Sequence, residues 1–167
     1  FYREQDAVRS GSDPATKTYV PLSVDPKTIV LADLKKAGRV VKENKGASLI
    51  DLGNGVLCLE FHTKMNTLDE NIRAMLVEAV DEVERGDWKG LVIGNDGGDF
   101  CVGANLASSF NDGGASIERA VKGTQDALMK VRYCAKPVVT APFGRTLGGG
   151  AQVGMGGARI VPARGTY

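Results

Sequence analysis

Two glycine-rich stretches hold most of the chemistry that this 167-residue chain offers. One is "LGGGAQV", Leu147 to Val153, and the other is "FCVGANL", Phe100 to Leu106. Glycine in a helix costs about 1 kcal/mol relative to alanine, so three in a row ahead of an apolar segment need a compensating use. Three known uses at a strand-to-helix junction fail on residues. A dinucleotide fingerprint read from Gly148 ends on Val153, a phosphate loop read from Gly144 to Gly149 meets Gly150 where lysine is required, and G-x-S-x-G is absent. The remaining use is an oxyanion hole. Backbone N–H groups in the first turn of a helix have no partner within the helix and lie at the positive end of its dipole. With no side chain in the way, a carbonyl oxygen can reach them, and each donor aimed at a developing oxyanion is worth on the order of 3 kcal/mol. The triplet alone fits a tight turn with close helix packing equally well. The second loop supplies what is missing, because two glycine turns after successive strands can each give one donor to a shared site.

Other reactive side chains are sparse. His62 is the single histidine, so a two-histidine metal motif is ruled out and it reads as a packed or surface residue. Cys58, Cys101 and Cys134 are odd in number, widely spaced and flanked by apolar residues, which points to reduced, buried structural thiols with no metal role. Asp96, Asp99 and Asp112 sit beside glycines and read as turn formers.

The elements that must place these loops follow from periodicity. "SLIDLGNGVLCLEF", Ser48 to Phe61, alternates around Gly53-Asn54-Gly55 and predicts a hairpin. Thr67 and Glu70 stand at capping-box spacing ahead of the stripe Ile72, Met75, Leu76, Ala79, Val80 and Val83, which predicts a helix over about 69–85. "KGLVIGN" and "PVVTAP" are buried strands, and between them Ile117, Ala120, Val121, Leu128 and Val131 mark a second amphipathic helix. Strand, loop, helix, strand, loop, helix is α/β organisation with right-handed crossovers. A short helix through Leu31, Leu34, Ala37 and Val41 is expected, with the surrounding lysines and arginine on a solvated face. Residues 1–30, with Gly11, Pro14, Pro21 and Pro26, read as a linker or surface arm.

Composition bounds the partners. Lys+Arg number 21 against 20 Asp+Glu, so no global field recruits nucleic acid or a membrane surface. No apolar run approaches a membrane span and no signal peptide opens the chain, making the cytoplasm the expected compartment. The chain starts at Phe1 and stops at Tyr167 within a strand-like run, which reads as part of a longer protein.

Taken together, "KGLVIGN", "FCVGANL", "KPVVTAPFGRTLGGG" and "ARIVPA" resemble the enoyl-CoA hydratase/isomerase, or crotonase, superfamily over roughly Ala47 to Tyr167. Residues 1–46 resemble, more weakly, the segment that joins a 3-hydroxyacyl-CoA dehydrogenase region to a crotonase domain in bacterial β-oxidation fusion proteins. The resemblance implies the N-terminal part of a crotonase-like ββα superhelix (47–167), preceded by a linker arm (1–46), that binds an acyl-CoA thioester and hydrates an enoyl-CoA. It places the oxyanion donors at the N–H groups of Ala104 and Gly149, flanked by Gly103, Gly148 and Gly150. It also puts Lys64, Met65 and Leu106 at contacts to the CoA or acyl portion. No cofactor is implied for the crotonase reaction, since CoA belongs to the substrate, and NAD enters only with a fused dehydrogenase region. Trimer-based homo-oligomers are implied for the longer protein, with altered assembly in this chain.

The departures bear on activity. Gln152 occupies a place where hydratases usually carry a glutamate, and an amide takes up no proton at ordinary pH. A second family glutamate falls beyond Tyr167, and Ala158 replaces a common acid. This chain by itself is therefore expected to be inactive. Double-bond isomerisation, which can run with one carboxylate, and non-catalytic acyl-CoA binding are the alternatives.

Overall fold

The alternation of strands and helices expected from the sequence is present in the computed structural model, which describes residues 2–5, 8–22, 25, 27–105 and 114–167. In chain order the elements are β1 (Tyr2–Gln5), β2 (Val8–Asp13), β3 (Thr18–Pro21), α1 (Leu31–Lys36), β4 (Val40–Glu43), β5 (Ala47–Gly53) and β6 (Val56–Phe61). A 3₁₀ turn (Lys64–Asn66) leads to α2 (Glu70–Arg85), β7 (Gly90–Ile93), β8 (Asp99–Cys101), α3 (Gly114–Arg132), β9 (Val138–Thr140), β10 (Arg145–Thr146), α4 (Gly149–Gly156) and β11 (Arg159–Ile160).

The central sheet has the order β11-β9-β7-β6-β5-β4, antiparallel from β4 to β6 and parallel from β6 onward. The predicted hairpin is β5-β6, closed by Asn54 at φ 55° and Gly55 at φ 81°, the positive angles that a two-residue turn matching strand twist requires. Its period-two pattern divides the sheet. Leu49, Leu57, Leu59, Phe61, Leu91 and Ile93 face the apolar stripe of α2 in the main core, whereas Ile50 and Cys58 meet Leu31 of α1 on the opposite face. Burial pushes the Cys58 thiol up to about 12 and also raises those of Cys101 and Cys134. All three cysteines are free.

Several details differ from the sequence reading. The cap of α2 is Asp69, whose carboxylate accepts the Ile72 N–H at 2.9 Å, while the Thr67 hydroxyl donates instead to the Lys64 carbonyl. Helix α1 stops at Lys36, with Gly38 at φ 73° just beyond, and Val41 belongs to edge strand β4. Three of the basic residues there form ion pairs: Lys35 with Glu60, Arg39 with Asp51, and Lys42 with Glu78 and Glu82. Because β4 pairs with β5 and Leu31 is buried against the sheet, the packed unit draws on residues within 1–46.

The arm is not featureless. Tyr2–Gln5, Val8–Asp13 and Thr18–Pro21 form a three-stranded antiparallel sheet, β1-β2-β3. Turn chemistry explains the miss: the Asp13 carboxylate accepts from the Ala15 N–H and the Thr16 hydroxyl, closing the β2-β3 turn through Pro14.

Between β7 and β9 the chain leaves the main sheet. Strand β8, inside the stretch read as a glycine loop, pairs in parallel with β10 as a second, two-stranded sheet. Asp99 and Arg145 join the two strands in a bidentate pair, with Nε to Oδ1 and Nη2 to Oδ2 both at 2.6 Å. Asp99 is thus more than a turn former, and the guanidinium holds its carboxyl below the usual carboxylate range. This small sheet brings the two glycine turns together.

Candidate active site

The first turn is held in an extended form by Leu68. The Leu68 N–H donates to the Gly103 carbonyl at 2.8 Å, and the Asn105 N–H donates back to the Leu68 carbonyl at 2.9 Å. Successive peptide groups in extended chain point to opposite sides, so the intervening Ala104 N–H points away from Leu68. It has no acceptor among the described residues. Below this turn, β8 is anchored on the 3₁₀ segment: the Val102 N–H donates to the Met65 carbonyl, and the Asn66 amide donates to the Asp99 carbonyl.

The second turn hangs from the same strand. The Leu147 N–H donates to the Cys101 carbonyl at 3.0 Å, and the Leu147 carbonyl takes the Gly150 N–H at 2.8 Å. The Ala151 and Gln152 N–H groups both turn to the Gly148 carbonyl. The Gly149 N–H at the start of α4 is left without an acceptor among the described residues.

The three glycines of the triplet have three separate geometric reasons. Gly148, at φ 52° and ψ −120°, has a backbone that L side chains rarely adopt. A Cβ on Gly149 would lie 2.9 Å from Leu68 Cδ1 and 3.7 Å from the Ala104 nitrogen. One on Gly150 would come within 2.0 Å of the Cys101 carbonyl oxygen. Gly150 is therefore a packing residue between α4 and β8, not one that keeps the approach to the site open. On the other turn, Gly103 has φ 99°, and its Cβ would lie 3.0 Å from the Leu147 carbonyl oxygen and 3.4 Å from the Gly149 nitrogen. At Gly103, Gly148 and Gly150 the requirement for glycine comes from backbone contacts or a positive φ, whereas at Gly149 it comes from the end of the Leu68 side chain. The glycine-rich α4 is braced from outside, with the Thr140 hydroxyl donating to the Gly154 carbonyl at 2.5 Å.

Ala104, Gly149 and Gln152 line one cavity of about 260 Å³, together with Leu68, Arg73, Ile117, Ala120, Val121, Thr124 and Gln125. Gly103, Gly148 and Gly150 support the turns from behind. Lys64 and Met65 lie outside the described lining; Met65 is 46% exposed, at φ 54°, and is not core. Leu106 lies outside the described residues, as does Asp112. Among the described residues, no three His, Cys, Asp or Glu side chains form a metal-binding group, and no helix is long and apolar enough to cross a membrane.

Sequence reasoning missed Arg73, Thr124 and Gln125. It read Ile117 and Val121 only as part of the apolar stripe of a helix, and they are 37% and 51% exposed and line the cavity. An apolar stripe running past the buried part of its helix was the available signal. Nothing in the spacing of α2 marks Arg73.

The arrangement offers two free N–H donors on the wall of a largely apolar cavity, with a helix N-terminus behind one of them. Such a wall can bind a carbonyl oxygen and stabilise negative charge that develops on it. Among the described lining residues, Arg73 alone is charged and none is a carboxylate or histidine.

Known proteins share this frame. A probable 3-hydroxyacyl-CoA dehydrogenase of Bacillus subtilis strain 168 is 44% identical over 153 residues, covering 89% of this chain and 19% of the relative. The 1,2-epoxyphenylacetyl-CoA isomerase of Escherichia coli K12 is 30% identical over 125 residues, covering 70% of this chain and 47% of the relative. The chain thus spans under half the length of either. Among solved structures, an enoyl-CoA hydratase of Mycobacterium smegmatis superposes with a TM-score of 0.68 at 20% identity, covering 74% of this chain and 49% of that one, a likeness of fold. The family model described as enoyl-CoA hydratase/isomerase matches residues 51–164. That range includes both glycine turns and the sheet that joins them, and the chain belongs to the enoyl-CoA hydratase/isomerase family.

Proposed function

We propose that this site binds an acyl-CoA thioester with the thioester oxygen between the N–H groups of Ala104 and Gly149, and that the longer protein hydrates an enoyl-CoA there. The observation that carries the reading is the pair of unpartnered N–H groups on one cavity wall. In hydration, water oxygen bonds to the β-carbon and gives up one proton, the C=C electrons move onto the thioester oxygen as an enolate, and the α-carbon then takes up a proton, so that OH and H add across the double bond. The two donors act on the enolate, where charge is greatest, which is why they lower the barrier more than they tighten substrate binding.

The described lining contains no group to move the proton. Gln152 orients by hydrogen bonding and neither accepts nor releases a proton. This chain is therefore expected to hold the thioester without turning it over. Binding of butyryl-CoA in calorimetry, with crotonyl-CoA hydration at background rate, is the expected pair of results; hydration at ordinary hydratase rates would refute it. The isomerase named among the relatives favours a second reading, in which the longer protein shifts a double bond and needs a single acid-base group. The 3-hydroxyacyl-CoA dehydrogenase name of another relative fits a fused, NAD-dependent region in the longer protein.

A further inference from the structure

Arg73 is the unexplained member of the cavity. It stands on α2 one residue after the buried Ile72, and its side chain runs along α3 where Gly123 leaves room: a Cβ there would be 3.8 Å from the Arg73 Nε. The residue is half-buried. Among the described residues its guanidinium has neither a hydrogen-bond nor an ion-pair partner. Other cations of the described structure do have partners, Lys130 with Asp81 and Arg145 with Asp99. Withdrawing a charge from water costs free energy unless an opposite charge compensates it, and nothing in the described lining does so. The remaining polar neighbours, Thr124, Gln125 and Gln152, are uncharged, and the Thr124 hydroxyl already donates to the Ala120 carbonyl at 2.8 Å.

Reading the cavity as an acyl-CoA site, we infer that it selects acyl groups ending in a carboxylate, monothioesters of short dicarboxylic acids, with Arg73 as the group that pairs with the distal carboxylate. The volume supports a short chain. At about 260 Å³ the cavity falls below the roughly 300–1,000 Å³ of pockets for drug-sized ligands. It contains the thioester donors and Arg73 within one lining, so the group that fits between them is the acyl chain. The phosphates of CoA lie at the other end of the pantetheine arm from the thioester. Arginine suits the task because its planar fork binds a carboxylate through two parallel N–H···O contacts. Leu68, Ile117 and Val121 would cover the methylenes between the two ends.

The test is calorimetric titration of the 167-residue chain with glutaryl-CoA, valeryl-CoA and free CoA. The first two share a five-carbon acyl group and differ in the terminal carboxylate. The expected result is glutaryl-CoA binding about tenfold or more tighter than valeryl-CoA, in line with a hydrogen-bonded charge pair. In Arg73→Met that preference disappears while valeryl-CoA affinity stays within about twofold, and Arg73→Lys restores part of it; circular dichroism checks that both variants remain folded. Equal affinity for the two thioesters, or a preference that survives Arg73→Met, overturns the inference and leaves the acyl-CoA reading standing. Weakening of free CoA by the same factor in Arg73→Met would assign the guanidinium to the CoA phosphates and likewise overturn it. Failure of all three ligands to bind removes the acyl-CoA reading itself, and this inference with it.

Discussion

The two walls of the cavity are built on different principles. The wall formed by the turns at Ala104 and Gly149 is backbone, held by hydrogen bonds to Leu68 and Cys101 and permitted by glycines with almost no steric freedom. The facing wall, from α2 and α3, is made of side chains: Arg73, Ile117, Val121 and Gln125. In the proposed function the backbone donors serve any thioester, because every such substrate presents the same carbonyl. Side chains can be exchanged without moving the helix axes, so the inferred discrimination between acyl groups belongs to the second wall. Under the proposed function, thioester chemistry and the choice of acyl group are thereby separated in space.

Substitutions that break the backbone wall should have the largest effects. Gly150→Ala puts a methyl group into the Cys101 carbonyl, with no flexible side chain to yield, and should cost about 3 kcal/mol or more, as overpacking does. Urea unfolding would measure it, and a loss below about 1 kcal/mol would show that α4 can lift from β8. Gly149→Ala meets the end of the Leu68 side chain at 2.9 Å, which can rotate, and crowds the Ala104 donor. Its fold should survive better than that of Gly150→Ala, while butyryl-CoA affinity falls tenfold or more, a loss of about 1.4 kcal/mol. Unchanged affinity would place the oxyanion elsewhere.

A smaller effect is expected where the turns are joined. Asp99 has its folded pKa lowered by Arg145, so the ionised carboxylate favours the folded state. Its contribution is present above the ordinary carboxylate pKa of about 3.9 and is lost as pH falls through the depressed folded value. Asp99→Asn should therefore lower Tm at neutral pH, with the gap from the parent chain narrowing below about pH 4. A gap independent of pH would mean that the pair acts through packing alone.

Local chemistry made much of the frame legible from sequence. Two positive-φ residues at Asn54-Gly55 specify the β5-β6 turn, and six apolar residues at helical spacing specify the buried face of α2. Both signals act between near neighbours, where steric limits and periodicity are decisive. The β1-β2-β3 sheet was hidden because its strands are short and Thr18–Pro21 is exposed along its whole length, leaving no inward-facing pattern. Strands β8 and β10 were hidden for a related reason: three and two residues long, they exist through pairing with each other.

Sequence by itself determined that glycine turns follow the strands, that the family is that of enoyl-CoA hydratase/isomerase, and that Gln152 offers no proton. Tertiary structure decided how closely the turns approach, because the separation of Ala104 from Gly149 depends on the β8-β10 pairing and on Leu68, partners distant along the chain. It also decided what Arg73 faces. A residue's place on a helix is set by local geometry, but the charge and space opposite it are set by whichever element packs there, here α3 with Gly123 in place of a larger residue.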